Sequence, residues 1–219
     1  MDGYRLISTI YDAALEPFNA PLRTVARRTC PVQAGAVVLD VGCGTGAALA
    51  EYARDGARTI GVDPSQAMLD RARQRLGPEA DLRRITGERL PVADRCADLV
   101  LISLVLHGLP RAEAIGVLHE AARCLAPGGR ILITDFGASG LRFPRGHATR
   151  ALTAVAEILA GPGHARNSLG YLRSGGLTTL LGEAGLVAST QRRTAGGNVT
   201  IVVAVPGTPS TGTAPTISA

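Results

Sequence analysis

The residues best suited to chemistry stand at the ends of short apolar runs. Val38-Leu39 leads into Asp40-Val41-Gly42-Cys43-Gly44-Thr45-Gly46, an acid followed by glycines at alternate positions. Glycines at this spacing let the backbone turn tightly and let a ligand lie against the peptide units. A second run, Gly61-Val62, ends in Asp63-Pro64-Ser65. An acid at the end of a second strand is placed to hold both hydroxyls of a ribose, or more simply to cap the helix that follows. The pair indicates a nucleoside ligand. The glycine run also fits G-x-G-x-x-A, the dinucleotide fingerprint, so it does not choose the ligand by itself. Asp40 does discriminate. A carboxylate repels a pyrophosphate, whereas it tolerates a donor that carries an α-amino group and a positive sulfur but no phosphate.

Further candidates are less local. Met68 lies one turn into the helix after Asp63, where it can cover an adenine face or simply fill core. His107 follows an apolar run and is the candidate general base, with packing or backbone capping as the plainer alternative. His147 and His164 lie in a segment rich in Gly, Pro, Arg and His, with Tyr171 just after it. With Tyr4 and Tyr11 near the start, they are the candidate acceptor contacts, since long irregular segments in compact domains are often functional lids. His119, mid-helix beside Glu120, reads as solvated. There is no catalytic triad. In-line displacement at a sulfonium releases a neutral thioether, so alignment and desolvation can supply much of the rate.

The elements that must carry these residues alternate. Strands are expected at 36–41, 59–62, 81–86, 98–102 and 130–135, and helices at 47–54, 65–76 and 111–125. This alternation predicts a doubly wound, mostly parallel, Rossmann-like α/β sheet. Pro127-Gly128-Gly129 is read as ending the 111–125 helix, and Pro21 as starting a helix near the N-terminus. After Phe136 the pattern loosens, with one helical patch at 149–160 and a helix at 174–184. Val187–Arg192 and Val199–Val205 flank Ala195-Gly196-Gly197-Asn198 as a hairpin, so the last of seven strands is expected to run antiparallel. The expected organisation is an N-terminal helical cap at 1–35, a catalytic domain at 36–205 with a lid insert at 137–173, and a disordered tail at 206–219.

Composition narrows the classes. The 219 residues suit one α/β domain with additions. Aromatic residues make up 3% with no Trp, so the core must be aliphatic, and bases would find little to stack on. The net charge of +5 rests on arginine alone, because lysine is absent. That excludes a Walker-A phosphate loop, a lysine Schiff base and a Tyr-x-x-x-Lys pair. Arg71, Arg73 and Arg75 point in different directions around a helix and read as a solvated face, so no nucleic-acid partner is expected. Cys30, Cys43, Cys96 and Cys124 form no CxxC pair, so reduced thiols and no metal are expected. No apolar stretch approaches the ~20 residues of a membrane span, and Met1 to Thr29 shows no signal peptide. A cytoplasmic monomer or homodimer acting on a small molecule, without integral membrane contact, is the expectation.

With these residues in view, the sequence resembles the class I S-adenosylmethionine-dependent methyltransferases, nearest to the ubiquinone/menaquinone-biosynthesis-like branch. Asp40 to Gly46 resembles the family's first motif and Asp63-Pro64-Ser65 its second. Gly87-Glu88-Arg89-Leu90-Pro91 resembles the adenine-side motif. Ala97 to Val100, Leu106-His107 and Leu125 to Gly129 resemble later landmarks. The resemblance covers about 36–136 and 174–205. It implies S-adenosyl-L-methionine as donor, held by Asp40, Gly42, Cys43, Gly44 and Gly46 at the methionine end. It further implies Asp63 and Pro64 at the ribose, Met68, Thr86, Gly87 and Glu88 at the adenine, and Ser103 as floor. The family often has an acid where Thr86 stands, and Phe where Ala97 stands. Methylation of an O, N or C atom of a small apolar acceptor is the implied activity. An NAD-dependent oxidoreductase and a non-catalytic S-adenosylmethionine-binding protein are the alternatives.

Overall fold

The computed structural model describes residues 3–207, with side chains from residue 16 onward. The side chains of Tyr4 and Tyr11, and most of the expected tail, lie outside the described residues. Seven strands form one sheet in the order β3-β2-β1-β4-β5-β7-β6. They are β1 (Val37–Val41), β2 (Arg58–Asp63), β3 (Asp81–Arg84), β4 (Ala97–Ser103), β5 (Leu125–Phe136), β6 (Leu186–Thr194) and β7 (Val199–Pro206). The first five pair in parallel, while β7 runs antiparallel to both β5 and β6. The fold class and the reversed last strand read from the sequence are therefore as expected.

Alternation along the strands divides the core between the two faces of the sheet. Val38, Leu99, Leu101, Leu132, Ile201 and Val203 face α1 (Gly3–Thr29) and α2 (Ala47–Arg54) through Ala26, Cys30 and Tyr52. Leu39, Val100, Ile102, Ile131, Ile133 and Val202 face α4 (Arg111–Cys124) and α7 (Leu177–Glu183) through Leu118, Leu177, Leu180 and Leu181. The helix α3 (Gln66–Leu76) is capped by Ser65, whose Oγ accepts the Met68 N–H at 3.4 Å.

Several boundaries differ from the sequence reading, each for a physical reason. Pro21 does not start a helix, because α1 runs through both Pro17 and Pro21. Each proline removes one backbone donor, and the buried face carrying Leu22 and Ala26 outweighs that loss. Pro127-Gly128-Gly129 lies inside β5, where the register against β4 shifts between Ala97 and Leu99, and α4 ends earlier, at Cys124. Strand β3 stops at Arg84, which leaves Thr86 in an exposed loop. The helix expected at 174–184 starts at Leu177, because Gly175 and Gly176 both adopt positive φ.

The largest difference lies at 137–173, where the helical patch expected at 149–160 is present but starts earlier, and a second helix replaces the irregular chain expected after it. Helix α5 (Arg145–Leu159) and helix α6 (Pro162–Arg173) fill it, with Pro144 at the N-cap of one and Pro162 at the start of the other. Proline there pre-sets the helical φ at a position whose N–H would be unpaired anyway. The segment is pinned to the sheet. Arg150 donates through Nε to Asn198 Oδ1 and through a terminal nitrogen to the Gly137 carbonyl, and the Asn198 amide donates to Thr153 Oγ1. The chain also returns close to its departure point, since a Cβ on Gly176, just before α7, would lie 3.0 Å from that of Ala138.

The centre of the sheet is fully buried. Ile133 is fully buried on β5, between β4 and β7. Ile133→Ala is expected to cost about 2–5 kcal/mol, read as a lower urea midpoint at unchanged slope.

Candidate functional site

The chemistry-bearing residues gather at the carboxyl ends of the parallel strands, where open α/β sheets bind ligands. Asp40 is the penultimate residue of β1, opposite Gly61 of β2 and Leu101 of β4. It is 2% exposed, and its Oδ1 has no hydrogen-bond partner among the described residues. Burial, then the nearby Asp63 charge, raises its pKa to about 7. An unpartnered carboxylate oxygen in such a place is costly unless a donor reaches it.

The turn after Asp40 is built to leave room. Gly42 has φ +74°, and a Cβ there would come within 2.6 Å of Val105 Cγ2. Gly44 has φ +52°, and a Cβ there would meet nothing within 4 Å. The first glycine thus admits the chain beyond β4, and the second borders open space. Cys43 has another role: its buried side chain clusters with Leu49 and Leu69, and burial pushes its thiol pKa up. Only its backbone faces the turn's chemistry, and its N–H donates to the Val62 carbonyl at 3.1 Å.

Asp63 joins the two halves. Its Oδ2 accepts the Gly44 N–H at 2.9 Å and its Oδ1 accepts the Ser65 N–H at 2.8 Å. Burial raises its pKa, and these two bonds hold it down in part. The capping alternative is therefore realised in part, yet each oxygen keeps a further acceptor position. Met68 is half-buried, Pro64, Thr86, Gly87 and Glu88 are exposed, and Ser103 is half-buried at the end of β4.

The acceptor candidates separate. His107 sits in a short 3-10 turn (Leu106–Gly108) after β4 and is 3% exposed. Its Nδ1 lies 2.7 Å from Asp135 Oδ1, its Nε2 3.4 Å from Glu157 Oε1, and its ring 4.3 Å from that of Phe136. His164 on α6 reaches Glu157 Oε2 with Nε2 at 3.1 Å. Burial acts to lower the His107 pKa, but Asp135 and Glu157 outweigh it and raise it to about 10. Burial acts to raise that of Glu157, but the two histidines outweigh it and hold it at about 2. Tyr171 is buried, with an unpartnered hydroxyl, beside a cavity of about 210 Å³ lined also by Leu106, Leu109, Arg111 and Asn167. His147 is exposed on α5, against Phe143, apart from this group. His119 is exposed, as expected.

Two members of the cluster escaped the sequence reading. Asp135 had a usable signal, since it ends an apolar strand just as Asp40 and Asp63 do. It accepts the N–H of Leu106 at 3.0 Å and of Phe136 at 2.7 Å, which fixes the turn carrying His107. Glu157 had none, because it reaches His107 only through the packing of α5.

Known proteins resemble this chain in sequence and in fold. Residues 38–129 match the family described as "Methyltransferase domain". A demethylmenaquinone methyltransferase of Tropheryma whipplei is 39% identical over 119 residues, covering 54% of this chain and 49% of that protein. One from Corynebacterium kroppenstedtii is 30% identical over 161 residues, covering 72% of this chain and 67% of that protein. The chain spans about half the length of most of the curated relatives it matches. A chain of the Haloferax volcanii complex built around the Trm112 methyltransferase activator shares the fold, with TM-score 0.67, 20% identity, and 95% and 99% of the two chains covered. The chain belongs to the S-adenosylmethionine-dependent methyltransferases of class I. Among the described residues, no helix is long and apolar enough to cross a membrane.

The raised Asp40 pKa has a measurable consequence for the ligand-free protein. A carboxyl raised on folding stabilises below its unfolded pKa, and that contribution is lost as pH rises toward the folded value. Asp40→Asn should therefore gain stability over the natural chain progressively from about pH 4 to about pH 7 and level off above. Melting temperatures across that range check it.

Proposed function

We propose that this chain transfers a methyl group from S-adenosyl-L-methionine to a small, apolar acceptor, with quinone precursors the first class to try. The observation that carries the donor reading is the buried, unpartnered Oδ1 of Asp40 on the strand that leads into the turn of Gly44, whose outer side is open. A ligand ammonium would satisfy that oxygen, whereas a dinucleotide pyrophosphate would be repelled by it. The bound donor supplies an electrophilic methyl on a positive sulfur.

The chain's own residues bind and align. Asp40 holds the ammonium, and the backbone of Gly42 to Gly46 holds the rest of the methionine end. Asp63 accepts from the ribose hydroxyls with the oxygen positions that Gly44 and Ser65 leave free. Met68 and the loop Thr86-Gly87-Glu88 flank the adenine, and Ser103 closes the floor. The segment 137–173, with the N-terminal helix that carries Tyr4 and Tyr11, serves as lid over the acceptor. His107, His164 and Tyr171 line its inner side, while His147 stands on the outside and contributes least. With both ring nitrogens of His107 engaged, its role is to position this wall rather than to act as a free base. The names of the relatives favour a quinone-type acceptor. Leu152, Val155, Ile158 and Leu159, each more than half exposed on α5, suit an apolar one.

Calorimetric titration with S-adenosylhomocysteine and, separately, NAD tests the donor site. Micromolar binding of the first ligand alone is expected, weakened at least tenfold in Asp40→Ala and Asp63→Ala. Its affinity should fall as pH drops below about 7, where Asp40 takes up a proton. Binding of NAD, or of neither ligand, overturns the reading. Label transfer from methyl-labelled donor to a demethylated quinone then tests the acceptor, and donor binding with no transfer to any of a panel of acceptors would mark a binding protein.

A further inference from the structure

We propose that His107, Glu157 and His164 form a binding site for a first-row transition-metal dication of the zinc class, with Asp135 as the outer carboxylate behind His107. The residues come from three elements: the turn after β4, α5 and α6. One ligand atom from each lies within 4.8 Å of the others. Glu157 meets the two histidines through its two oxygens, Oε1 at 3.4 Å from His107 Nε2 and Oε2 at 3.1 Å from His164 Nε2. A tetrahedral ion with bonds of about 2.0–2.2 Å separates its ligand atoms by about 3.3–3.6 Å, close to these values. Two imidazoles with one carboxylate suit zinc and its neighbours rather than magnesium or calcium, which take oxygen ligands.

The surroundings support the same assignment. Asp135 faces the far nitrogen of His107 at 2.7 Å, the carboxylate–histidine pairing that aims the remaining nitrogen at an ion. Asp135 is itself held by the N–H groups of Leu106 and Phe136. Gly108 leaves bare the spot where the His164 ring lies, since a Cβ there would collide with the ring's Cε1. Asn167, one turn beyond His164 on α6, donates to the Gly108 carbonyl at 2.9 Å and so fixes the helix against the turn. His107 and Glu157 are buried, while the His164 side chain keeps 29% of its surface exposed and gives an ion its way in.

Three protein ligands leave a fourth position for water or for an oxygen of another molecule, as in open rather than purely structural sites. The site stands at the same edge of the sheet as the donor turn. Val105, two residues before His107, packs against Gly42. It requires nothing of the donor reading, so the two can fail separately.

The test uses the whole chain, freed of any affinity tag, stripped with chelator and titrated with Zn²⁺. One ion per chain with micromolar or tighter affinity is expected, weakened at least tenfold in both His164→Gln and Glu157→Gln and unchanged in Cys96→Ser. Melting curves of the metal-free variants confirm that they fold. Co²⁺ added to the unaltered chain gives a reading independent of any variant: visible bands of low-symmetry nitrogen and oxygen coordination, without a thiolate charge-transfer band. Absence of one-to-one binding, affinity retained in either ligand variant, or a thiolate band overturns the proposal.

Discussion

The carboxylate of Asp63 is the joint on which the carboxyl-end turns of β1 and β2 depend. One oxygen takes the N–H of Gly44 and the other that of Ser65, so a single side chain sets both the glycine turn after β1 and the entry to α3. The bonds are individually modest, but both acceptors belong to one buried anion, and charge-assisted bonds of this kind are the stronger sort. They also hold Gly44 where its open side faces away from the core. Without this joint, the turn that leaves Asp40 unpartnered would lose its fixed shape, and the energetic cost of burying Asp40 would have no use.

What could be read from the sequence follows from how local each signal is. Asp40 and Asp63 were legible because each ends a buried strand and precedes a turn, so the whole signal lies within a few residues. The reversed β7 was legible for a similar reason: two apolar runs flank Ala195-Gly196-Gly197-Asn198, and only a hairpin joins them. The first turn of α5 and the whole of α6 were hidden by their composition. Pro144 and Pro162 look like breakers in a linear reading, yet they occupy helix starts. The cluster around His107 was hidden by distance along the chain, since Glu157 joins it through tertiary packing alone. Thr86 fell on the wrong side of a strand end because β3 is an edge strand, where pairing on one side only gives the boundary little definition.

The two halves of the site are therefore made differently. The glycine turn with Asp40 and Asp63 is built from backbone and strand ends, within the stretch that matches the methyltransferase domain family, residues 38–129. The cluster around His107 is built from side chains of the turn after β4 and of helices α5 and α6. It is held to the sheet through a few polar contacts such as Arg150 to Asn198 and Gly137. Sharing the glycine turn with a relative says little about the cluster, since a fold and its grafted sites vary independently.

The meeting of Ala138 and Gly176 gives this arrangement an architectural meaning. A segment that leaves and rejoins the sheet at neighbouring points can change in length without moving β5 or α7, provided its inner contacts to Gly108 and Asn198 are kept. Long insertions between adjacent anchor points add little closure entropy, growing only with the logarithm of length. The segment that follows β5 is thus joined to the sheet at its base and again at Gly108 and Asn198, so replacing it with another would mean matching those seats as well as the two chain ends.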